Sequence, residues 1–338
     1  MTSDRRQFLG SLSAVASALT LAPAMASGSA RAQSVPATGE VPGYERFPIW
    51  PDAAPGRPPH GVKDVRILRT NKGNPDDFAW TSIETPMLTV CPAPKPTGAA
   101  VLMIPGGGYA RVAMGMKPSS ISRWFASQGV TCFELLYRLA HDGWQAGPDT
   151  PLQDAQRAMR VIRARAANWG IDPANVAAIG FSAGGHLCGS LATRWNVETY
   201  APRDGVDEQD ARPLVAGMFF PVVSMEPELA HSQSRHELLG KAPSAELSRR
   251  YSVNLEVPAQ TPPVLLGHAA DDTVVDCANS IAMFEGCRKS AIPSELHIIE
   301  KGGHGAPLFE QDGSAGEWLS RFATFAHRHG LRIPSRYA

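Results

Sequence analysis

Val176-Ala177-Ala178-Ile179 runs directly into Gly180-Phe181-Ser182-Ala183-Gly184-Gly185, and small and apolar residues follow at helical spacing. An apolar run ending in Gly-x-Ser-x-Gly ahead of a helix is the nucleophile-elbow pattern, in which a strand turns sharply into a helix. Gly180 and Gly184 suit that turn because it brings the two backbones too close for side chains. Strain at the tip holds the Ser182 hydroxyl out of the fold. The N–H groups behind it open a helix, where negative charge is stabilised. Gly-x-Ser-x-Gly also arises by chance, so its weight comes from the strand before it, the helix after it and its partners elsewhere in the chain.

The remainder alternates between strand and helix. Apolar runs at 65–68, 86–90, 99–104, 130–137, 215–223, 263–268 and 295–299 read as strands. Segments 119–128, 151–168, 277–290 and 317–329 read as helices, the second with Ala155, Ala158, Val161 and Ile162 on one face. Buried-type strands alternating with helices predict an α/β fold with a mostly parallel sheet covered on both faces. Residues 33–62 are rich in Pro and Gly and read as an extended surface segment, with Tyr44, Phe47 and Trp50 as anchors. Residues 224–260 break the rhythm: polar, punctuated by Pro and weakly helical, they read as an insertion near the strand tips. The catalytic domain is then 63–338.

Residues 1–32 read as an export signal. Arg5-Arg6 precede Phe8-Leu9, an Ala/Ser/Leu-rich run follows, and Ala30-Arg31-Ala32 places small residues where a signal peptidase reads. The paired arginines resemble a twin-arginine signal, with Asp4 and Gly10 standing where Ser and Lys are usual. The expectation is an exported protein, periplasmic or secreted, with no membrane anchor. Lys+Arg and Asp+Glu balance at 32 each, which argues against nucleic acid or an anionic membrane as a partner. Five cysteines in an oxidising compartment leave at least one unpaired within the chain. Cys132 and Cys188 lie in apolar runs and read as packing residues, while a Cys277–Cys287 pair stays open. No Cys or His spacing marks a metal site, and no glycine motif marks a nucleotide cofactor.

A serine hydroxyl needs a base to take its proton, and histidine titrates in the right range. A carboxylate must then fix the imidazole tautomer. Ala270-Asp271-Asp272-Thr273-Val274-Val275 follows a late strand and Gly302-Gly303-His304-Gly305 follows the last one, giving the order Ser, Asp, His. Asp272 is preferred as the acid, because Asp-x-Val-Val is the phrase that leads from the acid into the next helix. Asp271 is then free to structure the turn. Among the other histidines, His186 is expected in packing and His268 as support for the acid loop. His231 and His236 can reach substrate but hold no catalytic position. The oxyanion donors are Ala183 N–H and a second from the Gly106-Gly107-Gly108 loop, with Gly107 and Gly108 left equal.

Taken together, Ile104-Pro105-Gly106-Gly107-Gly108-Tyr109, Pro151-Leu152-Gln153-Asp154-Ala155, the elbow, His268-Ala269-Ala270-Asp271-Asp272 and Lys301-Gly302-Gly303-His304-Gly305 resemble the α/β-hydrolase superfamily. Within it they resemble the acetylxylan-esterase-like carbohydrate esterases, over roughly residues 63–330. Pro105 stands where many members carry His. The resemblance implies an α/β-hydrolase fold and cofactor-free hydrolysis of acyl esters, often acetyl groups on a polysaccharide such as xylan. The expected substrate is a small-molecule or oligosaccharide ester, with Trp144, Trp195 and Tyr109 as candidates to stack on sugar or, more commonly, to pack. A prolyl-oligopeptidase-type peptidase shares the triad, but no propeller-sized segment precedes the alternation here. A non-catalytic carbohydrate-binding module shares the fold, against which three intact triad candidates weigh.

Overall fold

In a computed structural model the described residues are 33–34, 43–69, 77–305 and 317–334, so residues 1–32, read above as an export signal, lie outside them. The chain runs through β1 (Gln33–Ser34), β2 (Arg46–Pro48), β3 (Val65–Leu68), β4 (Phe78–Ser82), β5 (Met87–Cys91) and β6 (Ala100–Ile104). Then come α1 (Ser120–Ser127), β7 (Thr131–Leu136), α2 (Thr150–Ala164), β8 (Val176–Phe181), α3 (Ala183–Arg194) and β9 (Ala216–Phe219). The last third holds α4 (Ser232–Leu239), α5 (Ala245–Arg250), β10 (Val264–Ala269), α6 (Ala278–Lys289), β11 (Ser294–Ile299) and α7 (Glu317–Arg328).

Eight strands form one sheet in the order β11-β10-β9-β8-β6-β7-β5-β2. From β11 to β7 every neighbouring pair is parallel; β5 joins β7, and β2 joins β5, antiparallel. β1, β3 and β4 make a small antiparallel sheet. Strand residues alternate between two cores, as a period of two requires. On β6, Ala100, Leu102 and Ile104 face α2 and α3 residues such as Leu152, Met159, Leu187 and Leu191. Val101 and Met103 join Phe125 of α1 and Phe322 of α7 on the opposite side. Both faces are covered, which accounts for the continuous apolar strands.

The chain reverses direction at the centre of this sheet. β6 leads outward to β7, and α2 then carries the chain back past β6 to β8, from which β9, β10 and β11 follow in turn. The crevice beyond the carboxyl ends of β6 and β8 is therefore the topological switch point, where open α/β sheets bind ligands.

Residues 43–62 run along the surface, with 51–53, 57, 59 and 60 exposed, and are fastened into the fold at Trp50, as expected, and at further points. β2 pairs with β5 at the sheet edge, and Ile49 and Trp50 are buried. Trp50 Nε1 donates to Asp154 Oδ1 (2.8 Å) on α2. Asp154 also accepts from Arg138 Nη2 (2.8 Å) and Nε (2.9 Å to Oδ2), with both side chains fully buried. Arg138 Nη1 in turn donates to Pro55 O (2.7 Å). Two buried charges survive only with such complete pairing.

Candidate active site

The elbow is built by backbone contact. A Cβ on Gly180 would lie 2.1 Å from Gly184 O, and one on Gly184 would lie 2.3 Å from Ile104 O. Ser182, between them, has φ 54° and ψ −122°, a strained geometry for a residue with a side chain. Ser182 N donates to Phe219 O (3.1 Å), and Val222 N to Ser182 O (3.1 Å), which ties the tip to the end of β9. That strand stops at Phe219, short of the 223 read from sequence, because Phe220 takes φ 37° and turns the chain away. Ser182 keeps only 9% of its surface, less than an exposed hydroxyl implies, and its Oγ is hydrogen-bonded to His304.

His304 Nε2 lies 2.9 Å from Ser182 Oγ, and His304 Nδ1 lies 2.8 Å from Asp272 Oδ2. A carboxylate can only accept, so Nδ1 carries the ring proton and Nε2 keeps the lone pair that faces the hydroxyl. Asp272 Oδ1 accepts from Val274 N (2.8 Å) and Val275 N (3.0 Å). Burial pushes the Asp272 carboxyl up, but hydrogen bonds from His304, Val275 and Val274 outweigh it and hold the group below the ordinary carboxylate range. Beneath it, His268 Nε2 lies 2.9 Å from Val275 O and 3.2 Å from Asp272 Oδ2, while its Nδ1 meets Ser280 Oγ (2.8 Å). The Phe220 ring meets His304 edge-on at 4.9 Å.

Asp271 has a separate task that the sequence left unspecified. Its Oδ1 accepts from Gly302 N (2.8 Å) and Gly303 N (2.7 Å), the two residues before His304. One aspartate of the pair holds the imidazole, and the other holds the loop that carries it.

Gly107 (φ 142°) and Gly108 (φ 67°) follow β6 across the crevice. A Cβ on Gly107 would meet Arg111 O at 2.1 Å, so the loop closes only with glycine there. Among the described residues, the N–H groups of Gly107, Gly108 and Ala183 donate to no backbone carbonyl, and Ala183 is the first residue of α3. His231 caps α4 through Nδ1, and burial followed by the nearby His304 holds it below the ordinary histidine range, with Asp272 opposing. His236 is exposed on the same helix.

Two sugar-stacking candidates are removed by burial. Tyr109 and Trp144 lie in the core, and Trp195 packs half-buried at the far end of α3. His186 is buried as expected, but hydrogen-bonded at both ring nitrogens. All five cysteines are free, with Cys132 and Cys188 buried. Cys277 caps α6 and Cys287 lies in its last turns, about 15 Å along the axis, too far to bridge. Among the described residues no group of three His, Cys, Asp or Glu can hold a metal, and no helix is long and apolar enough to cross a membrane.

The BD-FAE family model matches residues 90–286, more than half of the chain and inclusive of the glycine loop, the elbow and both aspartates. The chain belongs to the BD-FAE family. An acetylxylan esterase of Xylanibacter ruminicola is 32% identical over 222 residues, 64% of this chain and 43% of that protein. Endo-1,4-beta-xylanase B of Butyrivibrio fibrisolvens is 30% identical over 223 residues, 64% of this chain and 34% of that protein. This BD-FAE chain thus spans less than half the length of these curated relatives. The crystal structure of an acetyl ester-xyloside bifunctional hydrolase from Caldicellulosiruptor lactoaceticus superposes with a TM-score of 0.66 at 27% identity, covering 85% of this chain and 97% of that one. The fold is the α/β-hydrolase fold, as the sequence motifs implied.

Proposed function

We propose that this chain is an exported serine carboxylic-ester hydrolase that removes acetyl groups from a carbohydrate such as xylan. The observation that carries the reading is the unbroken line Ser182–His304–Asp272, at 2.9 and 2.8 Å, beside three N–H groups that, among the described residues, donate to no backbone carbonyl. Ser182 Oγ attacks the ester carbonyl as His304 Nε2 takes its proton. Ala183 N–H and one of Gly107 or Gly108 receive the charge that develops on the carbonyl oxygen, and Asp272 stabilises the imidazolium. The carbon–oxygen bond to the sugar then breaks, and the proton leaves with the alcohol. Water repeats the sequence on acetyl-Ser182 and releases acetate. The names of the relatives above support an acetylated xylan chain as the substrate class. The Arg5-Arg6 signal and the Ala30-Arg31-Ala32 ending support export to the periplasm or medium.

Acetate release from acetylated xylo-oligosaccharides, run beside p-nitrophenyl acetate and butyrate, tests this reading. Release that disappears in Ser182→Ala is the expected result. Turnover of the nitrophenyl esters alone would retain the mechanism and discard the carbohydrate, and a Ser182→Ala protein that still releases acetate would overturn the mechanism.

A further inference from the structure

Immediately behind the glycine loop, Tyr109 takes φ 58° and keeps 1% of its surface. Its hydroxyl lies 2.8 Å from Nδ1 of His186, which is also 1% exposed and sits one turn beyond Ser182 on α3. The other ring nitrogen, Nε2, lies 2.7 Å from Tyr251 O. A carbonyl oxygen only accepts, so Nε2 carries the proton, Nδ1 is the acceptor, and the Tyr109 hydroxyl donates. Burial pushes His186 down to about 4, with Arg194 adding to it and the Tyr251 carbonyl opposing, so the ring stays neutral near pH 7. At the other end of the loop, the Tyr137 hydroxyl donates to Pro105 O (2.9 Å). Ala113 N to Gly106 O (2.9 Å) and Arg111 N to Gly107 O (3.2 Å) close the span between.

We infer that Tyr109 and His186 are positioning residues of the oxyanion hole, coupling the glycine loop to the elbow helix so that its two halves move as one body. The inference rests on the ester-hydrolase reading above. One half of the hole is on the loop, at Gly107 or Gly108, and the other is Ala183 N–H at the start of α3. These segments are far apart in sequence, and the Tyr109–His186 bond joins them directly. Both side chains are almost wholly buried, at 1% of their surface, so they act through the loop rather than on substrate. Donors stabilise a developing oxyanion only when they already stand where its oxygen will be. A loop held by a directional bond at each end meets that condition better than one held by packing alone.

Tyr109→Phe keeps the ring and removes only the donor. Its kcat for p-nitrophenyl acetate is expected to fall about 10- to 100-fold with KM within about twofold. Affinity for an alkylboronic acid, which forms a tetrahedral adduct on serine, should fall in parallel, because only transition-state binding is lost. His186→Leu should show the same loss, the double variant little more than either, and His186→Asn, with an acceptor near Nδ1, a smaller loss. A Tyr109→Phe protein of unchanged melting temperature with parent kcat and parent boronate affinity would overturn the inference. So would a loss confined to KM, or losses that multiply in the double variant. Absence of esterase activity in the parent would instead remove the reading on which it rests. Should His186→Leu not fold, Tyr109→Phe alone decides.

Discussion

At the scale of single residues, the site contains two adjacent aspartates with different tasks. Asp272 is the partner of His304 Nδ1, and Asp271 grips the backbone of Gly302 and Gly303. The order of motifs favoured Asp272, and the sequence could say of Asp271 only that it shapes a turn, since its partners lie 31 and 32 residues away. Their amide variants separate the roles. Asp272→Asn presents an N–H group or a weaker acceptor to His304 and disturbs the tautomer, so kcat should drop by about 10⁴. Asp271→Asn keeps an oxygen that can accept from both glycine N–H groups, and its kcat should stay within a few-fold of the parent. Steady-state kinetics on p-nitrophenyl acetate read both. Equal losses in the two variants would contradict the assignment. Ser182, His304 and the glycine loop were legible because each sits in a local phrase tied to a strand end. His268 beneath the acid was legible as support, since it ends the strand that leads into the acid loop.

Among the elements, the long apolar strands, their helices and the short β3 were read close to their true bounds, while β9 was read too long and β2 and β4 were missed. β4 pairs antiparallel with β3, and its Trp80 also exchanges backbone hydrogen bonds with the distant Val112 at 2.9 and 2.8 Å. β2 is three residues ending in Pro48, and nothing in so short a run marks an edge strand. The start of α1 depends on a similar long-range contact. Glu134, buried on β7, accepts from Ser119 N (2.6 Å) and the Ser122 hydroxyl at the first turn of that helix. Burial raises its carboxyl above the ordinary 4.5, with Ser122, Ser119 and Arg123 opposing. The folded state therefore holds that proton more tightly than the unfolded chain. This group's contribution to stability is largest below its unfolded value and falls as pH rises through the folded one. Glu134→Gln keeps an acceptor for Ser119 N–H and should remove that decline from urea titrations run upward in pH from the ordinary Glu value. An unchanged slope would contradict the account.

For the molecule as a whole, the α/β class and the parallel sheet followed from alternation, but the fastening of residues 43–62 did not. Gln153 and Asp154 sit in a phrase that marked the family, and their physical task appears only in three dimensions. Asp154 neutralises Arg138 and receives Trp50, so α2, the end of β7 and the early segment share one buried knot. That knot lies on the α2 side of the sheet and leaves the crevice beyond β6 and β8 free for the glycine loop, elbow and histidine loop. On the proposed mechanism this crevice activates one serine of the chain, Ser182, as a nucleophile. The most direct measurement is labelling of the folded protein with a fluorophosphonate, followed by intact mass and peptide mapping. One adduct on the peptide carrying Ser182, absent from Ser182→Ala and strongly slowed in His304→Ala, is the predicted result. Labelling that persists in Ser182→Ala, or a parent protein that takes no label, would contradict it.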